Sequence, residues 1–380
     1  MTAAGILQLR LENQRLARAS FRKPEDVVAW FGAVQAQDYL GSLWAIGLRM
    51  QRATEALVEA AETRRAIIRT WPMRGTLHFV AAADARWMTQ LLAPRVIARN
   101  AARLKREVDV DASVVGRSRE VVTRALEGGR RLDRTALYEA LEARKIRTGV
   151  SRGLHILLWL ALEGTICLAG RQGKQHTFAL LEEWIPKFRD FDRDQALAEL
   201  ARRYFTSHGP STIQDFMWWA GIAAKDATAA LEGARAHLVR EVVGGCTYWL
   251  ATRRAPVRGG RSKPSPGPVV KLLPAYDEYT VAYRDRSLLV GAGSPTSSGF
   301  GLLNPVVVVE GRVVGSWKRT ITRDAVQLNT KLGRVLDDKE SDALRREVEK
   351  FREFLGIEPG GAELIASHRI SRTRGRARAS

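Results

Sequence analysis

Ser151-Arg152-Gly153-Leu154-His155-Ile156-Leu157-Leu158-Trp159-Leu160-Ala161-Leu162-Glu163-Gly164-Thr165-Ile166-Cys167-Leu168 carries the reading of the fold. Ser151 is a good N-cap residue, Leu154–Leu162 is an apolar helix, and Gly164 ends it. From Thr165 the pattern changes to strand, and His176–Leu180 answers it across the tip Arg171-Gln172-Gly173-Lys174. Upstream, Arg119–Leu126 is apolar at helical spacing. Leu132-Asp133-Arg134-Thr135 opens a short helix through Leu141, and Arg147-Thr148-Gly149 makes the turn into Ser151. Helix, turn, helix and β-ribbon in that order predict a winged helix.

The same plan recurs on both sides. Gln195–Phe205, a helix capped at Gly209-Pro210-Ser211-Thr212 and running through Trp219, and Ala224–Ala236 lead to a hairpin of Leu238–Val243 with Thr247–Ala251. A looser copy opens the chain, with helices Ile6–Ala19, Pro24–Val34, a piece near Leu43 and Thr54–Glu62. Its wing is Ala66–Arg69 with Thr76–Val80, and the helix Ala85–Lys105 bridges onward. Arg253–Pro268 reads as a basic loop. Strands then dominate: Val269–Leu273, Val281–Tyr283, Val306–Val309, Val313–Trp317 and one near Thr320–Leu328, closed by helix Asp337–Phe354. The expected fold is α+β and mainly helical. Three winged-helix units (1–115 with the bridging helix, 116–190, 191–255) precede a C-terminal small β-barrel or sheet element (256–355) and a basic tail (356–380).

Charge narrows the class. The 380 residues hold 61 Lys plus Arg against 41 Asp plus Glu, a net +20. Of the 61 cations 12 are lysine and 49 arginine, whose planar fork suits phosphate and base edges. A polyanion is the expected partner. Cys167 and Cys246 read as small buried hydrophobes in a reducing compartment. The N-terminus has no signal segment, and no apolar run is long enough to span a bilayer. A cytoplasmic, nucleoid-associated location follows, with no membrane partner. There is no Walker loop, HExxH, Rossmann GxGxxG or GxSxG, so neither metal nor cofactor is expected.

Several residues stand out. Gln35-Ala36-Gln37 ends the apolar stretch Pro24–Val34 and runs into Asp38. Two carboxamides one residue apart point the same way where a helix ends or the chain is extended, and together they can grip one water. Trp71-Pro72-Met73-Arg74 is an apolar knob beside a cation, fit to wedge or stack on a base, or else core packing. His78 lies on a strand and reads most simply as structural. Asp277 and Glu278 point to opposite faces of extended chain, so they are no glycosidase-type pair, though one can hold an arginine. Arg171, Lys174, Arg284, Arg286, Lys318 and Arg319 sit at hairpin tips and loop edges where phosphates are in reach.

Taken together these motifs resemble the tandem winged-helix DNA glycosylases of the AlkZ type. The resemblance rests on Val34–Asp38, Met73–His78, Gly209–Thr212 with Asp215-Phe216 and Trp218-Trp219, Leu272–Tyr279 with Asp285-Arg286, and Gly311–Trp317. It runs from about residue 5 to residue 355. It implies three winged helices around a DNA channel, a monomer on double-stranded DNA carrying alkylated purines, and an active-site Gln-x-Gln motif at Gln35 and Gln37. Asp38, His78 and Asp277 are candidate supports. Arg284–Asn304 would be the DNA-probing region, with Phe300 as its wedge. Glutamine is a poor general base. An N7-alkylated purine, however, already carries positive charge and leaves readily. The enzyme then needs only to place a water at C1′ and stabilise an oxocarbenium-like sugar. The implied enzyme is a monofunctional glycosylase for cationic N7-alkylpurines, including bulky natural-product adducts or interstrand crosslinks. It works in an open channel because a large adduct does not fit a flipping pocket. The rivals are a DNA-binding regulator, which would be a symmetric dimer on a defined operator, and an interaction scaffold.

Overall fold

Gly32 ends the helix Pro24–Phe31 at φ +83°, and the chain turns at once into the strand Ala33–Gln35. The apolar pattern alone carries this helix to Val34 and puts the glutamine tripeptide at its end. The backbone is extended there instead. Glycine alone adopts that φ cheaply, and Ala33 and Val34 then pair with Val80 and Phe79. Gln35 therefore ends a sheet strand, with Ala36 and Gln37 just beyond it.

The computed structural model describes residues 1–185, 187–252, 267–290 and 301–368. It is α+β, with sheets that are mostly antiparallel. The first hairpin (Ile67–Met73 with Thr76–Ala81) and the second (Ile166–Gln172 with Gln175–Leu180) are not separate ribbons. They join through Arg69 opposite Leu168 into one six-stranded sheet, edged by Ala33–Gln35 on one side and Leu132-Asp133 on the other. The third hairpin (Leu238–Val243 with Cys246–Ala251) stands apart as two strands, bridged to Ser211 through Trp249. Its tip carries Cys246, which is exposed, whereas Cys167 is buried as expected. The turn Gly244-Gly245 directs that side chain outward.

Most helices lie where periodicity puts them, within a few residues at each end. Ala85–Val108 continues through Pro94, and Arg193–Ser207 starts on a reciprocal cap between Asp192 and Gln195. Ser151 is a correction. It has φ +64° and caps nothing, and the helix behind it begins at Arg152. A second correction concerns Val281–Tyr283, expected as strand. Asp277 accepts the Tyr279 N–H and starts a helical turn, Glu278–Val281.

The C-terminal sheet is open and five-stranded: Ala362–His368, Val326–Leu332, Arg312–Ile321, Val306–Val309 and Val270–Leu273. Its outermost strand, Ala362–His368, lies inside the segment expected to be a tail, and it pairs in parallel with Val326–Leu332. The long helix Asp338–Phe354 covers the sheet by packing Phe351 on Trp317 and Trp44, with ring centroids 5.5 and 4.9 Å apart. One apolar core runs from the N-terminal helices through residues 197–249 to this sheet and takes in Cys167, Ala179 and Trp184, and a second gathers side chains between Leu104 and Leu180. The glutamine strand thus sits close to the helix bearing Trp219 and to the C-terminal region, since Gln35 and Trp219 both bond Glu278. Most of the basic loop at 253–266, Phe300 and the tail from 369 lie outside the described residues.

Candidate active site

Backbone contacts fix the glutamine tripeptide on both sides. Gln35 pairs with His78, and its N–H donates to Glu278 Oε1 at 2.8 Å. The Ala36 N–H donates to Leu77 O at 2.8 Å. The Ala36 carbonyl accepts two bonds from Arg69, from Nε at 3.2 Å and Nη2 at 2.9 Å. Arg69 is only 4% exposed, and its third nitrogen lies 3.1 Å from His176 Nε2. Gln35 ends the strand, and Gln37 lies in the bend that follows. Gln37 is exposed, its Oε1 accepts the Leu77 N–H at 3.3 Å, and its NH2 group has no partner among the described residues. Among the described residues the Gln35 carboxamide has no hydrogen-bond partner. One carboxamide is therefore oriented and its neighbour is open.

The supporting candidates have defined places. Asp38 caps the helix Tyr39–Gly47, with Oδ1 accepting the Gly41 N–H at 3.1 Å. A Cβ at residue 41 would stand 2.5 Å from Asp38 Oδ2, so a larger residue there would displace this cap. His78 is fully buried. Its Nδ1 donates to Thr76 O at 2.8 Å, and Nε2 accepts from Arg74 Nη2 at 3.3 Å. Burial, reinforced by the Arg74 charge, pushes its pKa down to about 3, so the ring is neutral. Asp277 forms a two-pronged ion pair with Arg49, both bonds 2.8 Å, at 1% exposure. It does hold an arginine, and it lies in the protein interior.

Glu278 points the other way from Asp277, toward Gln35. Its carboxylate also accepts Trp219 Nε1 at 2.9 Å and His208 Nε2 at 3.3 Å. Burial alone would raise its pKa. Hydrogen bonds from His208 and the Gln35 amide reverse that and hold it below the usual carboxylate range. Burial pushes His208 down, so at neutral pH the pair is a carboxylate beside a neutral imidazole.

The family model for AlkZ-like DNA glycosylases matches residues 28–354. The chain belongs to the AlkZ-like DNA glycosylase family. A curated relative, the interstrand DNA cross-link repair glycosylase of Streptomyces sahachiroi, is 27% identical over 341 residues, covering 82% of this chain and 86% of that protein. The solved structure of the Streptomyces sahachiroi DNA glycosylase AlkZ shares the fold, with a TM-score of 0.75 at 21% identity over 97% of this chain and 99% of that one. This AlkZ-like chain is accordingly a DNA glycosylase, and DNA is its substrate. No helix among the described residues is long and apolar enough to cross a membrane.

The basic candidates fall into two groups around this AlkZ-like site. Arg74 is committed. It donates to the Trp219 carbonyl and to His78, and Gly221 packs against its stem. Arg171 pairs with Glu59 and lies 5.0 Å over the Tyr39 ring. Arg319 stands 3.9 Å from Asp38, beside the glutamines. Trp71 is half-buried against the second core, and Met73 is wholly buried in the first. Lys174, Arg284 and Lys318 are exposed. Arg286 is half-buried with no partner for Nε, 5.7 Å over the ring of Trp218, which is 49% exposed.

Sequence reasoning misses Glu278, Arg69 and His208 as neighbours of the tripeptide. Glu278 is visible there only as half of an acidic dipeptide. Which of the two acids meets Gln35, 243 residues away, has no local signal.

Proposed function

We propose that this glycosylase hydrolyses the N-glycosidic bond of cationic N7-alkylpurines in duplex DNA, with Gln35 and Gln37 placing the attacking water. One observation carries the reading. The open Gln35 carboxamide stands beside an oriented Gln37, and among the described residues neither side chain is hydrogen-bonded to an acid or an imidazole. Such a pair has no proton to give or take, which suits a base that already bears its positive charge. Water is held by orientation and the developing sugar cation by amide dipoles. The enzyme is monofunctional and releases an abasic site.

The relative's role in interstrand DNA cross-link repair supports bulky N7 adducts or interstrand crosslinks as substrates here. An exposed Gln37 is consistent with an open channel. A cavity of about 230 Å³ lies between the helices Ala85–Val108 and Arg152–Leu162, and neither glutamine lines it. Three winged units would clasp the duplex, the third hairpin acting as a separate wing. A monomer suffices for this geometry.

Duplex DNA containing N7-methylguanine, and duplex with a bulky N7 crosslink, test the reading through abasic-site formation. Gln35→Ala and Gln37→Ala should each lose about 10²–10³-fold in rate, the scale of a lost oriented hydrogen-bonding group, with DNA affinity little changed. Full activity in both variants, or no product from either lesion, overturns it.

A further inference from the structure

Glu278 is 1% exposed and belongs to no surface. Its three donors come from three parts of the chain: the strand bearing Gln35, the helix Ile213–Ala220 bearing Trp219, and His208 at the end of the helix Arg193–Ser207. All three donors are neutral N–H groups at physiological pH. The neighbouring full positive charge, Arg74, is turned to the Trp219 carbonyl and to His78, so it offsets the carboxylate in part without pairing with it directly. The neighbouring acid, Asp277, is by contrast neutralised by Arg49. Glu278 cannot act as base or nucleophile, since water does not reach it. It does place a fixed negative charge against the amide of a residue that faces the reacting sugar.

We propose that Glu278 is a positioning residue for this reaction: its buried carboxylate holds Gln35 in place and biases the site toward the positive charge that builds on the deoxyribose. The proposal rests on the water-placing role of Gln35 and Gln37. No bond to Glu278 forms or breaks. Charge stabilisation of this kind is strong in a dry site because no reorganisation is needed during the reaction.

Two abasic analogues in duplex DNA separate the possibilities: a cationic pyrrolidine, which mimics the charged sugar, and an uncharged tetrahydrofuran. The wild type should bind the cation at least tenfold more tightly. Glu278→Gln should bring that preference close to one. It should also lower kcat on N7-methylguanine DNA ten- to a hundredfold, while KM and affinity for undamaged DNA stay constant. A merely structural residue would change stability and not the charge preference. An active wild type whose preference survives in Glu278→Gln overturns the role of Glu278 alone. A wild type with neither activity nor preference overturns the reaction proposed above. If Glu278→Gln does not fold, Glu278→Asp keeps the charge and withdraws it from Gln35. A folded Glu278→Asp with unchanged kcat overturns the proposal, and a reduced kcat with part of the cation preference retained supports it.

Discussion

Beneath Gln35, every charged group is held. Glu278 accepts three N–H bonds, Asp277 is clamped by Arg49, Arg69 grips the Ala36 carbonyl, and Arg74 is fastened to Trp219. At the protein surface, the rim of this contrast, Lys174, Arg284 and Lys318 stand in water, and Arg286 has a nitrogen with no partner among the described residues, beside an exposed tryptophan. The floor has traded solvation for fixed geometry. The rim has kept solvation and mobile side chains. Positioning a water needs tenths of an ångström, whereas following a phosphate backbone needs charge in about the right place.

The floor offers the largest test of this contrast. Asp277→Asn leaves Arg49 buried without its counter-charge, and the loss of stability should be about 3–5 kcal/mol by denaturant unfolding. A loss below about 1 kcal/mol, the usual worth of an exposed ion pair, would mean the floor behaves like the rim. Next comes the rim itself. Replacing Lys174, Arg284 and Lys318 together by Gln should leave stability unchanged. For every phosphate that such a side chain neutralises, its removal should reduce the slope of log affinity against log salt by about 0.9. An unchanged slope would remove these residues from the DNA path. A titration gives the third test. The folded pKa of His78 is depressed from 6.5 to about 3, so the unfolded chain binds the extra proton between those values. Stability should therefore be fully present above pH 6.5 and decline as pH falls toward 3. His78→Asn should flatten that part of the curve. If it leaves the curve unaltered, the ring is not held neutral in the floor.

Rim and floor also differ in how readily each is read from sequence. Tips such as Gly173-Lys174 and Gly244-Gly245 are legible because turns are written in neighbouring residues. So are the amphipathic helices and the run Val306–Val309. Ser151 misleads, since its backbone takes the left-handed region and forfeits the cap geometry. The strand Ala362–His368 reads as tail because its pairing partner, Val326–Leu332, leaves no mark in the strand itself. The joined six-stranded sheet is invisible for a related reason: the pairing of Arg69 with Leu168 is a property of two distant segments. In the site, Gln35 and Gln37 stand out as a motif. Their supports do not, because burial and long-range partners choose Glu278 over Asp277.

The bond from the Gln35 amide to Glu278 spans 243 residues, and Arg10 reaches Pro210 across 200. Contacts of such separation close late, after the chain has already given up most of its freedom. Both glutamines leave the ribosome long before the carboxylate that steadies one of them. A growing or truncated chain therefore carries the motif without its floor. The floor of the site is thus assembled from distant segments that meet only after most of the sequence has been made.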